Sequence, residues 1–480
     1  MKIYLLNPPF VKGFVRCGRW QGAASRSGGL DYPKWLAYAT GLLEKEFDVK
    51  LVDAPASNLG KADIIEDAVK FRPELIICDS NFSSLRNDIS ITGLLKEITA
   101  AKTVMVGPPA GKFYRGIIEN EAIDIVVRFE YDFTLLDLAK AIYKKNELNK
   151  IKGIVYKENK KVMVNPIRNF TTDEDLDSLP FVSKIYKKHL NIWNYHLSQS
   201  LYPEVQIFAG RGCPFLCSFC SWPENLMGRE YRSRSAVNIA EEFEYIQKNL
   251  PEVKEIFIED DTFTINKLLV QDFCSEVKKR KIDIAWSCNA RATLDYSTMK
   301  MMKRAGCRLL IVGYESGSDE ILSNINKGIT TDQMRFFTDS AKKAKLLVHG
   351  DFIIGLPGET IKTAKMTLDF LKELKPNILQ VAVATPIPGT RFYDYVKDNG
   401  YLLTEDLEKS IDENGFQKCI ISYPNFKKDD IEFFVNKSLK NYYLNKSFIP
   451  VALNNIIRKN GYFELKTLLV SAKTFLKYIK

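Results

Sequence analysis

At 480 residues, 45% apolar and 27% charged, the chain is long enough for two or three domains with real cores and too apolar for a disordered polymer. The net charge of +10 invites a nucleic-acid partner, but from residue 437 to 480 nine Lys and Arg stand against one acid, Glu464. The remainder is close to neutral, which argues against nucleic acid as the partner.

No run of 18 apolar residues occurs, and the opening "MKIYLLNPPF" breaks at a Pro pair too early for a signal peptide, so a cytoplasmic protein is expected. Six of the nine cysteines, at 17, 78, 274, 288, 307 and 419, follow no recurring spacing, as thiols do in a reducing compartment.

Residues 1–148 alternate short apolar runs with amphipathic stretches. Strands are expected at "KIYLLN", "DVKLVDA", "ELIICDS", "KTVMVG" and "DIVVRF", with helices near 34–47, 61–72, 87–100, 113–121 and 133–145. Such a pattern predicts a flavodoxin-like (Rossmann-type) α/β domain with its ligand beyond the C-terminal strand ends. The loops there are "NPPF", "DSNFSS", "GPPAGK" and "RFEYD". "GPPAGK" is no phosphate-binding P-loop, since three residues and not four separate Gly107 from Gly111 and Phe113 follows Lys112. Residues 149–203 read as a linker with a Lys-rich hairpin around "KENKK".

From 204 to 400 six strands are expected, "VQIFAG", "EIFIED", "IAWSCNA", "LLIVGY", "GDFIIGL" and "LQVAVAT", with helices between them. Repeated βα units of this length predict a partial (β/α)6 barrel whose site lies at the C-terminal strand ends. Each strand is followed by an unusual polar or cysteine-bearing stretch, the first being "GRGCPFLCSFCSWP" with Cys213, Cys217 and Cys220. Residues 401–480 read as a helical, basic extension. Its tail is either cover for the open bottom of the barrel or an amphipathic surface for an anionic membrane.

Three thiolates can hold three irons of a [4Fe-4S] cluster and leave the fourth open to a small ligand. A closed zinc site would want a fourth ligand nearby, and the chain has only His189, His196 and His349. C-x3-C-x2-C after the first strand of a partial barrel resembles the radical S-adenosylmethionine (SAM) superfamily. The resemblance implies that Cys213, Cys217 and Cys220 bind the cluster, that SAM chelates the open iron, and that its reductive cleavage yields a 5'-deoxyadenosyl radical. It further implies SAM contacts for Phe219, Asp260, Asp261, Asn289, Arg291, Glu315, Ile354, Gly355 and Pro357. The sequence has "EDDTF" where many members carry a Gly-Gly-Glu run. Asp260 and Asp261 also suit a helix N-terminus and Glu315 also suits a helix cap. His349, the one histidine in the barrel, is a candidate acid or base.

A flavodoxin-like domain ahead of such a barrel is similar to the cobalamin (B12)-binding class, which includes methylases. On that likeness Asn7, Pro8, Pro9, Ser80, Asn81, Ser83, Gly107, Pro108, Glu130 and Tyr131 would contact cobalamin, with no histidine ligand to cobalt, because none precedes His189. The stretches "NPPF", "YPKWLAYATGLLE", "VDAPA", "DDTFT", "WSCNARA" and "VGYESG", with the cysteine stretch, resemble the hopanoid-biosynthesis-associated members. That implies a lipid or lipid-linked sugar substrate, methylation or a radical rearrangement, and a flavodoxin or ferredoxin as electron donor. A methylthiotransferase would need three cysteines in the first domain, where only Cys17 and Cys78 occur. A cobalamin or redox sensor is the non-enzymatic alternative, and it would not need the SAM-side residues.

Overall fold

The computed structural model describes residues 1–16 and 22–444. Cys17 and the tail beyond Leu444, on which the membrane-surface reading falls, lie outside the described residues. Among the described residues no helix is long and apolar enough to cross a membrane.

The first sheet holds β1 (Lys2–Asn7), β2 (Asp48–Asp53), β3 (Leu75–Asp79), β4 (Lys102–Val106), β5 (Ile125–Val127), β6 (Ile154–Glu158) and β7 (Lys161–Val164). Their order is β2-β1-β3-β4-β5-β6-β7. The first five are parallel in the flavodoxin order, because each is fed by a crossover helix. β1 lies between β2 and β3, with Ile3 opposite both Val49 and Leu75, and its residues 3–7 are buried. The predicted linker departs from expectation at its hairpin: β6 and β7 add antiparallel strands to this sheet's edge.

The second sheet runs β8 (Glu204–Ile207), β9 (Glu255–Ile258), β10 (Ala285–Ala290), β11 (Cys307–Glu315), β12 (Leu347–Ile354) and β13 (Ile378–Val383), all parallel and in chain order. It is an open half-barrel, with β8 and β13 as its edges.

Helix α1 (Lys34–Leu43) is buried at every position. It packs on α2 (Asp132–Lys144) and α3 (Val182–His189), and its region reaches the first barrel strand. The Tyr32 hydroxyl donates to Glu204 O (2.9 Å) and the Lys34 ammonium to Gln206 Oε1 (2.8 Å). At the other edge, α4 (Lys428–Tyr443) covers β13, where the Tyr443 hydroxyl accepts from Leu379 N and donates to Leu379 O. One buried apolar cluster runs from Ile3 to Leu439 through both sheets.

Candidate active site

The cysteine loop leaves the half-barrel through a short antiparallel pair, Gly210–Arg211 with Arg232–Ser233. Gly212 has φ +89°, and a Cβ there would lie 1.9 Å from Glu230 O, so the exit admits only glycine. At its base Arg211 pairs with Asp132 of α2 at 2.6 Å, both side chains fully buried. Further on, Cys213 N donates to Gly228 O and Cys220 N to Cys217 O, while Ser218 N donates to Ile325 O at 2.9 Å. The loop is thus held from the first domain and from the loop beyond β11.

All three cysteines, none bridged, border a cavity of about 690 Å3 inside the half-barrel. Every second residue of β12 (Leu347, His349, Asp351, Ile353) faces this cavity, as the pleat requires. The first domain supplies a wall through Val15 and the 23–31 loop, including Arg26 and Asp31, and α4 closes the far side with Tyr443.

Of the expected SAM contacts, Phe219, Asp261, Asn289, Arg291 and Glu315 are on the cavity wall. Asp260 is not. Its carboxylate accepts from Ala209 N (2.7 Å) and from the Tyr231 hydroxyl (2.8 Å), and burial pushes its pKa up to about 7. Ile354, Gly355 and Pro357 also stand off the wall, which Ile353 and Leu356 form instead.

None of the ten positions assigned to cobalamin lines this cavity. They lie at the C-terminal end of the first sheet and on the loop after β5, engaged within the protein. Asn7 bonds Asp53 (2.8 Å) and Arg16 (3.0 Å), and Asn81 bonds Arg16 O (2.8 Å). The Arg16 guanidinium donates to Pro8 O and pairs with Asp88 at 2.6 Å. Ser80 bonds Val106 O, Ser83 bonds Ser410, Glu130 pairs with Arg232, and Tyr131 packs on Trp35. A Cβ at Gly107 would meet Ser80 O at 2.3 Å, and Pro8, Pro9 and Pro108 follow the strands.

The cavity is rich in buried charge. Glu315 ends β11 at φ +66° and pairs with Lys327 at 2.6 Å, while its Oε2 has no hydrogen-bond partner. Gly313 makes room for that pair: a Cβ would come within 2.3 Å of Glu315 Oε1. Glu259 pairs with Lys34 across the domain boundary. His349 Nε2 lies 3.3 Å from Asp351 Oδ1, and burial pushes the imidazole pKa down to about 4, so the ring is neutral at physiological pH. Behind the wall, Glu359 accepts from Gly355 N and Leu356 N and shapes the "GLPGE" turn.

Residues 207–371 match the family model of the Radical SAM superfamily. An uncharacterized methyltransferase of Pyrococcus horikoshii is 32% identical over 467 residues, covering 96% of each chain. The chain belongs to the radical SAM superfamily. An anaerobic magnesium-protoporphyrin IX monomethyl ester cyclase of Rubrivivax gelatinosus is 26% identical and covers 99% of this radical SAM protein and 82% of its own length. Among solved structures, the radical SAM methyltransferase TsrM of Kitasatospora setae, with cobalamin and a [4Fe-4S] cluster bound, shares the fold over the whole of both chains (TM-score 0.70, 15% identity).

The residues present fit the radical SAM cofactors. Three thiols on one wall could supply a cluster's three protein ligands, and among the described residues no other cysteine lines the cavity. The unpartnered Glu315 Oε2 is an acceptor suited to an ammonium group such as SAM carries. Sequence reading missed Lys327, Glu259, Lys34 and Glu359. Glu359 stands in a stretch already singled out, whereas Lys327 and Lys34 look like surface lysines until the fold buries them.

Proposed function

We propose that this protein is a cobalamin-dependent radical SAM enzyme that methylates an unactivated carbon. The observation that carries the reading is the three unbridged cysteines on the wall that also bears Asn289, Arg291 and Glu315, in a chain 32% identical along its length to a methyltransferase. When bound, the cluster and SAM supply one-electron cleavage and radical hydrogen abstraction, and cobalamin supplies the methyl group.

The chain's own part is to bind and to exclude. Cys213, Cys217 and Cys220 hold the cluster, and Phe219, Asp261, Asn289, Arg291 and Glu315 surround SAM. Asp260 acts behind them by fixing Ala209 and Tyr231. The apolar inner wall, with Phe257, Ile311 and Leu347, keeps water from the substrate carbon. The cobalamin contacts proposed at the first sheet end rest on the family likeness. So do a lipid or lipid-linked sugar substrate and a flavodoxin or ferredoxin donor.

The test is mass spectrometry of SAM products from the anaerobically reconstituted chain with dithionite and hydroxocobalamin, given a lipid extract or magnesium-protoporphyrin IX monomethyl ester. Substrate-dependent 5'-deoxyadenosine together with S-adenosylhomocysteine is expected. The cyclase-named relative favours a second reading, a radical rearrangement, for which 5'-deoxyadenosine would form alone. Reductive SAM cleavage by Cys217→Ala at the wild-type rate would overturn both.

A further inference from the structure

Lys327 is a lysine in the wrong place for an ordinary one. It is 8% exposed, lines the cavity, and its ammonium lies 2.6 Å from Glu315 Oε1. Burial pulls its pKa down, but the fields of Glu315 and of the Cys217 sulfur outweigh this and hold it above the ordinary value. The segment that carries it is tied to the cysteine loop. Ile325 O accepts from Ser218 N at 2.9 Å, and the Arg291 guanidinium bonds Lys327 O while stacking 3.7 Å above the Phe215 ring. A Cβ on Gly313 would sit 3.0 Å from Lys327 Nζ, so the strand beneath is shaped to admit the ammonium.

We propose that Lys327 is the counter-charge of the cluster: its buried ammonium, held by Glu315 on the lining of the cavity that Cys217 also borders, favours the reduced cluster and so raises its reduction potential. The proposal rests on the reading of the three cysteines as cluster ligands. Reduction adds one electron to the cluster and makes or breaks no bond, so the change is one more negative charge in a water-poor site. A fixed cation on the lining of the same cavity stabilises that charge, and net charge and burial are among the factors that set such potentials. Glu315 opposes the effect, because its carboxylate offsets part of the lysine's field. Lys327 is therefore a positioning residue for electron transfer, with a sign that differs from its partner's.

The experiment is a dithionite titration of the full-length reconstituted chain, read by electron paramagnetic resonance, for wild type, Lys327→Met, Lys327→Arg and Glu315→Gln. Iron and sulfide content serve as the measure of an intact site. At the wild-type midpoint, Lys327→Met is expected to lower the ratio of reduced to oxidised cluster about tenfold, the size of one modest charge interaction. Lys327→Arg should restore the ratio, and Glu315→Gln should raise it. A purely structural ion pair would not give opposite signs for the loss of its lysine and the loss of its carboxylate. Met and Gln variants that hold a full cluster and share the wild-type ratio overturn the proposal. Where Lys327→Met loses its cluster, an unchanged ratio in Glu315→Gln overturns it alone. A wild-type chain with no reducible cluster removes the cluster reading and this proposal together.

Discussion

Glu359 shows how one carboxyl shapes a turn that reaches the cavity. Its Oε2 accepts from the backbone N–H of Gly355 and Leu356, its Oε1 has no partner, and burial pushes its pKa up to about 8 from the usual 4.5. Because the folded value is raised, the folded chain binds a proton that the unfolded chain has lost between pH 4.5 and 8. This group's contribution to stability is therefore full below about pH 4.5 and declines as pH rises to 8. Glu359→Gln keeps an acceptor for both amides and does not titrate, so it should flatten that part of the decline in a thermal-melt series from pH 5 to 8. Glu359→Ala leaves two buried donors unmet and should cost on the order of 3 kcal/mol at any pH. A wild-type slope retained by Glu359→Gln would show that the carboxyl does not titrate in this range. At this scale the grouping of the three cysteines on one cavity was legible, because three thiols within eight positions of the chain stay together on one loop. Ile354, Gly355 and Pro357 were named one position from the wall residues Ile353 and Leu356. The pleat of β12 alternates inward and outward, and the inward phase starts at Leu347. Lys327 and Glu315 are twelve residues apart, so their pairing becomes visible only once the chain has folded.

At the scale of elements, the parallel strands were legible because burial on both faces makes them continuous apolar runs. The β6–β7 hairpin was read as a linker for a physical reason: Lys161–Val164 is an edge strand exposed at every residue, and its turn is rich in lysine. The end of the first sheet is where the proposed cobalamin would meet the most resistance. Arg16, Asp88, Asn7, Asn81 and Asp53 form one buried network there, with the Tyr195 hydroxyl donating to Asp53 at 2.9 Å. A corrin seated on Asn7, Ser80 and Gly107 has to open some of these bonds, and opened backbone exchanges faster. Adding hydroxocobalamin to the chain should raise deuterium uptake in peptides spanning 1–16 and 79–92 while its absorbance titrates to saturation. Saturable binding with unchanged uptake in both would place the corrin elsewhere.

The whole molecule is held as one body by α1. A helix buried at every position must be covered on every side, and "KWLAYATGLL" is sandwiched between the first sheet, α3 and the start of the half-barrel. The two runs of parallel strands were legible in the sequence as a repeated rhythm, but the depth of this interface was not, since nothing in the sequence says which lysine is buried. Lys34 is fully buried with Glu259 and Gln206 as partners, so Lys34→Ala takes a cation away from a buried carboxylate in the interface. Breaking such a buried pair costs about 3–5 kcal/mol. The core cluster is continuous from Ile3 to Leu439, so that loss should not be confined to one half. Scanning calorimetry of the wild-type chain is expected to show a single cooperative transition, and Lys34→Ala to move all of it downward in temperature. Two resolved transitions, with only one displaced by Lys34→Ala, would mean that the sheets unfold independently and that the cavity between them has no rigid first-domain wall.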